Sequence, residues 1–112
     1  MQVSLITCTN NSEKTIKNCC QSILLQSYNN IEHIVLDKNS QDNTISIIKK
    51  YGRENLKIYQ QKSFGIYGAL NEGMRVSTGN IIGILHSDDE FIDNEVISII
   101  AQKFLDKNID VL

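Results

Sequence analysis

Two adjacent carboxylates, Asp88 and Asp89, follow an apolar run at Ile81–Leu85. Neighbouring like charges repel unless a cation or a partner compensates. Hard divalent cations take carboxylate oxygens and commonly bridge them to substrate phosphates, where they neutralise charge developing on a leaving diphosphate. Ser87-Asp88-Asp89 equally suits a helix cap, since Ser and Asp are common capping residues, and spacing alone leaves the two readings level. His86 is a third ligand on the first reading and a packed bystander on the second. Asp37 also closes an apolar run, so its carboxylate either meets a ribose or base or organises the Lys38-Asn39-Ser40 turn, as Asp does well. Gly65 permits close approach of backbone to a ligand, or simply a turn. Asn71 follows on the same helical pattern and reaches either the site or a neighbouring loop. Cys8 occupies a strand end, the position of a nucleophile, but buried structural cysteine is the commoner case. Neither G-x-G-x-x-G nor G-x-x-x-x-G-K-[ST] occurs, so no dinucleotide fingerprint or P-loop is present.

The elements that must position these residues are legible from periodicity. Val3–Cys8, Ile31–Asp37, Leu56–Gln60 and Ile81–Leu85 are short apolar or alternating runs, the pattern of strands. Of these, Leu56–Gln60 alternates and suits an edge, whereas Ile81–Leu85 is the most apolar and is expected at the centre. Helical spacing recurs in Ile16, Cys19, Cys20, Ile23 and Leu24, after the capping residues Asn11-Ser12-Glu13. It recurs in Ile45, Ile47, Ile48 and Tyr51 after Ser40–Asn43, and in Ile66, Ala69, Leu70, Gly73 and Met74. A fourth helix is marked by Val96, Ile97, Ile100 and Phe104, and Ile109–Leu112 opens a fifth strand pattern. Repeated β-α alternation with continuous apolar strands predicts an α/β fold, a Rossmann-like parallel sheet covered on both faces. Ligands in such sheets bind beyond the carboxyl ends of the strands. Thr7, Thr9 and Asn11, then Asp37 and Asn39, then Gly65, and finally His86 to Asp89 all fall at those ends.

Composition narrows the classes. The chain has 112 residues, 41% hydrophobic and 21% charged, with net charge −2, which fits one globular domain rather than a disordered segment. No basic stripe is present, so nucleic acid is not the expected partner. No apolar run is long enough to span a bilayer, and no signal-peptide pattern opens the chain. The three cysteines, Cys8, Cys19 and Cys20, are odd in number and form no C-x-x-C, which argues against a disulfide framework or a zinc site and for a reducing compartment.

The segments VSLITCTNN, QSILLQSYNNIEHIVLDKNSQDNT and GIYGALNEGMRVSTGNIIGILHSDDEF, in this order, resemble the family 2 glycosyltransferases of the GT-A fold. The likeness is greatest to bacterial enzymes that build surface polysaccharides, and it runs along essentially the whole chain. It implies that Thr7 to Asn11 wrap a nucleoside and that Asp37 and its neighbours contact base or ribose. Gly65 to Asn71 would approach the diphosphate and donor sugar. Ser87-Asp88-Asp89 would carry Mg²⁺ or Mn²⁺, with Asp88 also at the nucleotide. The implied reaction is inversion at an anomeric carbon, with a UDP-sugar as the expected donor and a saccharide or lipid-linked acceptor. Two positions depart from the family pattern: Lys38 where Asp or Gly is usual, and His86 where Asp or Asn is usual. The general base is expected beyond residue 112, as is the acceptor-binding half. The expectation is therefore a truncated GT-A domain, its donor-binding part, cytoplasmic or peripheral at the inner membrane face, and prone to self-association through an incomplete sheet edge.

Other classes fit less well. A non-catalytic nucleotide-binding module, or a degenerate remnant, is the alternative that shares the fold. A receiver-type signalling domain needs an acidic pair after its first strand, where this chain has Thr-Cys-Thr-Asn-Asn. A nucleotidyltransferase needs a Gly-rich basic loop there, and none exists.

Overall fold

The computed structural model describes residues 1–107. In chain order they form β1 (Val3–Thr9), α1 (Ile16–Leu24), β2 (Ile31–Asp37), α2 (Thr44–Tyr51), β3 (Leu56–Gln60), α3 (Gly65–Val76), β4 (Ile81–Ile84) and α4 (Val96–Lys107). The expected alternation is thus present; the strand pattern at Ile109–Leu112 lies outside the described residues. The four strands make one sheet in the order β3-β2-β1-β4, every pair parallel. Because parallel strands alternate their side chains across the two faces, each face receives its own cover. Val3 and Leu5 pack with Ile16, Cys19, Cys20 and Ile23 of α1, Ile48 of α2 and Ile97 of α4. Ile6, Ile34 and Leu36 face the other way, onto Ala69 of α3.

The inner surface of α3 is narrower than its apolar spacing suggests. Ala69 and Gly73 are buried, while Ile66 and Met74 are exposed. The helix sits so close to the sheet that a Cβ at Gly73 would meet Ile6 Cγ2 at 2.7 Å and Leu36 Cδ2 at 3.2 Å. Ile6 Cγ2 is fixed to a branched Cβ on a central strand and cannot swing aside. Gly73→Ala therefore overpacks the contact. We expect it to lower unfolding free energy by roughly 1 kcal/mol despite alanine's higher helix propensity; equal or higher stability in urea melts would show that α3 can move outward.

Among the described residues Ile81–Ile84 is an edge strand, not the central one expected. Among the described residues β1 and β2 are interior, and β4 is the edge opposite β3. The run is apolar because Ile81 is buried under α4, yet Ile82 is 36% and Ile84 51% exposed on the face that α3 covers elsewhere. Leu24, likewise expected on the core face of α1, closes that helix and is exposed.

The register prepares the functional rim. Thr9 pairs with Asp37 and Asp37 with Gln60, so three strands end level. β4 ends earlier, with Ile84 opposite Ile6. Leu85 then donates its N–H to the Ile6 carbonyl at 3.0 Å, and residues 85–89 run out beside the end of β1.

Candidate functional site

The loops after β1 and β2 are laced together. The Asn11 N–H donates to Ser40 Oγ at 2.9 Å, and the Gln41 N–H donates to Asn11 Oδ1 at 2.7 Å. The Ser12 N–H donates to Thr44 Oγ1 at 2.7 Å. Asn43 N–H donates to Glu13 Oε2 at 3.2 Å. Asn11-Ser12-Glu13 thus serve this junction; α1 starts later, at Ile16, and its N-cap Thr15 makes no side-chain capping bond. Asn11 (φ 50°) and Asn39 (φ 47°) both adopt the left-handed conformation, which Asn tolerates better than most residues. On the far side Ser12 Oγ donates to Ser87 Oγ at 3.3 Å, tying the β1 loop to the β4 loop.

Asp37 anchors this junction from below. It is fully buried; Oδ1 accepts from Thr9 Oγ1 and Ser40 Oγ, each at 2.6 Å, and Oδ2 accepts from the Ser40 N–H at 2.8 Å. Of its two readings, the turn-organising one describes what its carboxylate does. The loop after β3 is braced in the same manner. Glu72 accepts the N–H of Lys62 at 2.9 Å and of Ser63 at 2.8 Å, and these two N–H groups hold its carboxyl below the usual range. Gln61 Nε2 donates to the carbonyls of Ser63 and Gly65. Gly65 then begins α3 at φ 73°, a conformation that a side chain disfavours.

These loops enclose one open cavity of about 740 Å³. From β1 it is lined by Cys8, Thr9, Asn10 and Ser12, from β2 by Lys38, and from β3 and α3 by Gln61, Gly65 and Ile66. His86, Ser87, Asp88 and Asp89 close it on the β4 side. All four strand ends meet there, as the polar residues at those ends anticipate.

Of the residues singled out from sequence, Thr9, Gly65, Asp88 and Asp89 line the cavity. Thr7 does not reach it: its side chain points into the molecule, where Thr7 Oγ1 and His33 Nε2 lie 2.9 Å apart, both buried. Asn11, Asn39 and Asn71 are exposed outside the lining, the first two holding turns and the third on the outer part of α3. Lys38, Gln61 and Ser12 were visible at strand ends, but only the crossing of loops made them neighbours of Asp88. Cys8 lines the cavity, and burial, then the Glu72 charge, push its thiol up, away from the thiolate a nucleophile needs. Cys19 and Cys20 are buried on α1, their thiols pushed up to about 12 and about 11, chiefly by burial; all three cysteines are free.

Among the described residues no cluster of three His, Cys, Asp or Glu could hold a metal by itself. Asp88 and Asp89 are nonetheless exposed to the cavity, and among the described residues neither carboxylate has a hydrogen-bond or ion-pair partner. Two free hard-oxygen groups fit Mg²⁺ or Mn²⁺ in the mode where substrate phosphates and water complete the shell. No helix among the described residues is long and apolar enough to cross a membrane.

A parallel β-α sheet carrying a polar cavity and a paired carboxylate at its carboxyl edge defines a Rossmann-like α/β ligand-binding fold, and the solved structures it matches place it with the GT-A glycosyltransferases, of whose fold it is a part. Among solved structures, TarS of Staphylococcus aureus, residues 1–349, matches with TM-score 0.88 and 29% identity over 96% of this chain and 33% of that one. The complex of TarS with UDP-GlcNAc matches with TM-score 0.86 at 28% identity, over 96% of this chain and 32% of that one. The family model for Glycosyl transferase family 2 matches residues 4–112, and the chain belongs to that family. Among curated relatives, the Escherichia coli UDP-Glc:alpha-D-GlcNAc-diphosphoundecaprenol beta-1,3-glucosyltransferase WfgD is 34% identical over 84% of this chain and 38% of its own length. Glycosyltransferase GlyG of Streptococcus pneumoniae is 30% identical over 98% of this chain and 37% of its own length. The chain thus spans little more than a third of either relative.

Proposed function

We propose that this chain forms the donor-binding part of an inverting glycosyltransferase. It would take a nucleotide-diphosphosugar, with UDP as the nucleotide, for transfer to a saccharide or lipid-linked acceptor in polysaccharide biosynthesis. The observation that carries the reading is the convergence of Thr9, Lys38, Gly65 and the unpartnered Asp88–Asp89 pair on one cavity of about 740 Å³, a volume suited to a small organic ligand. The names of TarS in complex with UDP-GlcNAc and of the UDP-Glc-dependent WfgD support the choice of nucleotide.

In this reading Asp88 and Asp89 hold Mg²⁺ or Mn²⁺. The ion, when bound, supplies charge neutralisation for the departing diphosphate. The braced loops at Asp37 and Glu72 hold the cavity walls still, so that binding does not have to order them. Gly65, lacking a side chain, lets backbone stand against the ligand. Donors of this class are made in the cytoplasm, where the chain would act.

Calorimetric titration of the chain with UDP tests the reading. Binding is expected in the presence of Mn²⁺ and is expected to disappear on addition of chelator. If UDP, GDP and dTDP all leave the chain unbound with and without Mn²⁺, the donor-site reading is wrong.

A further inference from the structure

Lys38 is the one Lys or Arg among the described residues lining the cavity. Its backbone is fixed from both sides. The Lys38 N–H donates to the Thr9 carbonyl at 2.8 Å, Asp37 before it is buried and fully bonded, and Asn39 after it is locked at φ 47°. The side chain itself is exposed, and no described protein group pairs with its ammonium. A rooted lysine bordering a cavity, its head unpaired by any described group, is poorly explained by stability alone.

The strand order says what it faces. β2 and β4 flank β1, and neighbouring strands stand about 4.8 Å apart. Lys38 and the Asp88–Asp89 pair therefore leave the sheet on opposite sides of the β1 end, roughly two strand spacings apart. The Thr9–Ser12 loop forms the floor between them. A diphosphate lying across that floor carries more negative charge than one divalent ion held by Asp88 and Asp89 offsets, and a positive group on the other flank compensates the rest. Lysine has three donors and no acceptor. A neutral base or ribose would leave the ammonium's charge uncompensated on desolvation, whereas a phosphate oxygen compensates it.

We propose that Lys38 is a phosphate-pairing residue: its ammonium forms an ion pair with the diphosphate of the bound nucleotide, across the end of β1 from Asp88 and Asp89. This rests on the donor-site reading and adds to it the group that sets preference for a diphosphate over the bare nucleoside.

The test compares uridine with UDP, in Mn²⁺, for the unaltered chain, Lys38→Met and Lys38→Arg, with circular dichroism to confirm unchanged folding. Lys38→Met is expected to weaken UDP roughly tenfold, to leave uridine unaffected and to flatten the salt dependence of UDP binding. Lys38→Arg is expected to retain most of the affinity. Equal losses for uridine and UDP would assign Lys38 to base or ribose and overturn the proposal, as would UDP affinity unchanged in Lys38→Met. An unaltered chain that binds none of UDP, GDP and dTDP overturns the donor-site reading and this role with it; one that binds UDP no more tightly than Lys38→Met does overturns this role alone.

Discussion

Asp88→Asn/Asp89→Asn is expected to keep the fold and to lose Mn²⁺-dependent UDP binding by on the order of a hundredfold or more, since each charged interaction removed is worth about 1.5–3 kcal/mol. The fold is expected to survive because neither carboxylate has a hydrogen-bond or ion-pair partner among the described residues and both are exposed. The turn they occupy is held by backbone, with the Asp89 N–H donating to the His86 carbonyl at 3.0 Å, and Ser87 is tied to Ser12. Removing two adjacent negative charges also relieves repulsion, so the melting temperature is expected to stay level or rise slightly. Asn keeps the shape and an oxygen but surrenders the charge that a hard cation requires. Each single substitution is expected to fall between the unaltered chain and the double one. Glu90→Gln, an exposed residue just past the cavity, is the control and is expected to bind as before. A double variant that still binds UDP with undiminished Mn²⁺ dependence would return Asp88 and Asp89 to the capping reading and move the metal elsewhere.

The outcome depends on a geometry that the sequence discloses only in part. Local periodicity was sufficient for all eight elements, because apolar spacing at period 2 or 3.6 reflects burial on one face. The rim was legible for a related reason: in a parallel β-α sheet the carboxyl ends point one way, so polar residues just after apolar runs must meet. Periodicity does not encode which strands are neighbours: Ile81–Ile84, expected at the centre, is an edge strand among the described residues. It does not encode side-chain direction at a strand end either. Thr7 and Thr9 share one face of β1, yet Thr7 is drawn to the buried His33 and Thr9 to Asp37. Asn11 and Asn39 read as ligand-binding amides in sequence, and the left-handed backbone that each adopts is not visible there. Cross-loop bonds such as Ser12 to Ser87 join residues 75 positions apart, and no local pattern reports them. Lys38 shows the limit from the other side. Its type was plain, but its value as the cation opposite Asp88 follows only from the strand order.

The largest effect on stability is expected at the other end of the sheet. Glu32 is fully buried on β2 and accepts from four donors: Lys57 Nζ at 2.6 Å, Ser4 Oγ at 2.7 Å, the Thr78 N–H at 2.9 Å and Thr78 Oγ1 at 3.1 Å. One carboxylate thereby ties β1, β3 and the turn into β4 to β2. Glu32→Ala leaves Ser4 and the Thr78 N–H facing a void, and breaking a buried pair from one side typically costs about 3–5 kcal/mol. Lys57 is 40% exposed and can turn to water, which places the expected loss near the lower end, about 3 kcal/mol, still a large share of a small domain's stability. Glu32→Gln separates charge from packing. Burial by itself raises the Glu32 pKa, but Lys57, the Thr78 N–H and the Ser4 and Thr78 hydroxyls outweigh it and hold the carboxyl at about 2, against 4.5 ordinarily. The folded state therefore binds the proton less readily than the unfolded one. The charge contribution is complete above pH 4.5 and drains away as the pH falls towards 2. His33, pushed down to about 4 by burial, adds a separate loss between its ordinary 6.5 and 4, common to both chains. Urea melts at pH 7, 5 and 3 should thus show both chains weakening in acid while the gap between the unaltered chain and Glu32→Gln closes below pH 4.5. A gap of constant size down to pH 3 would mean that Glu32 stabilises the sheet by shape and neutral hydrogen bonds rather than by its charge.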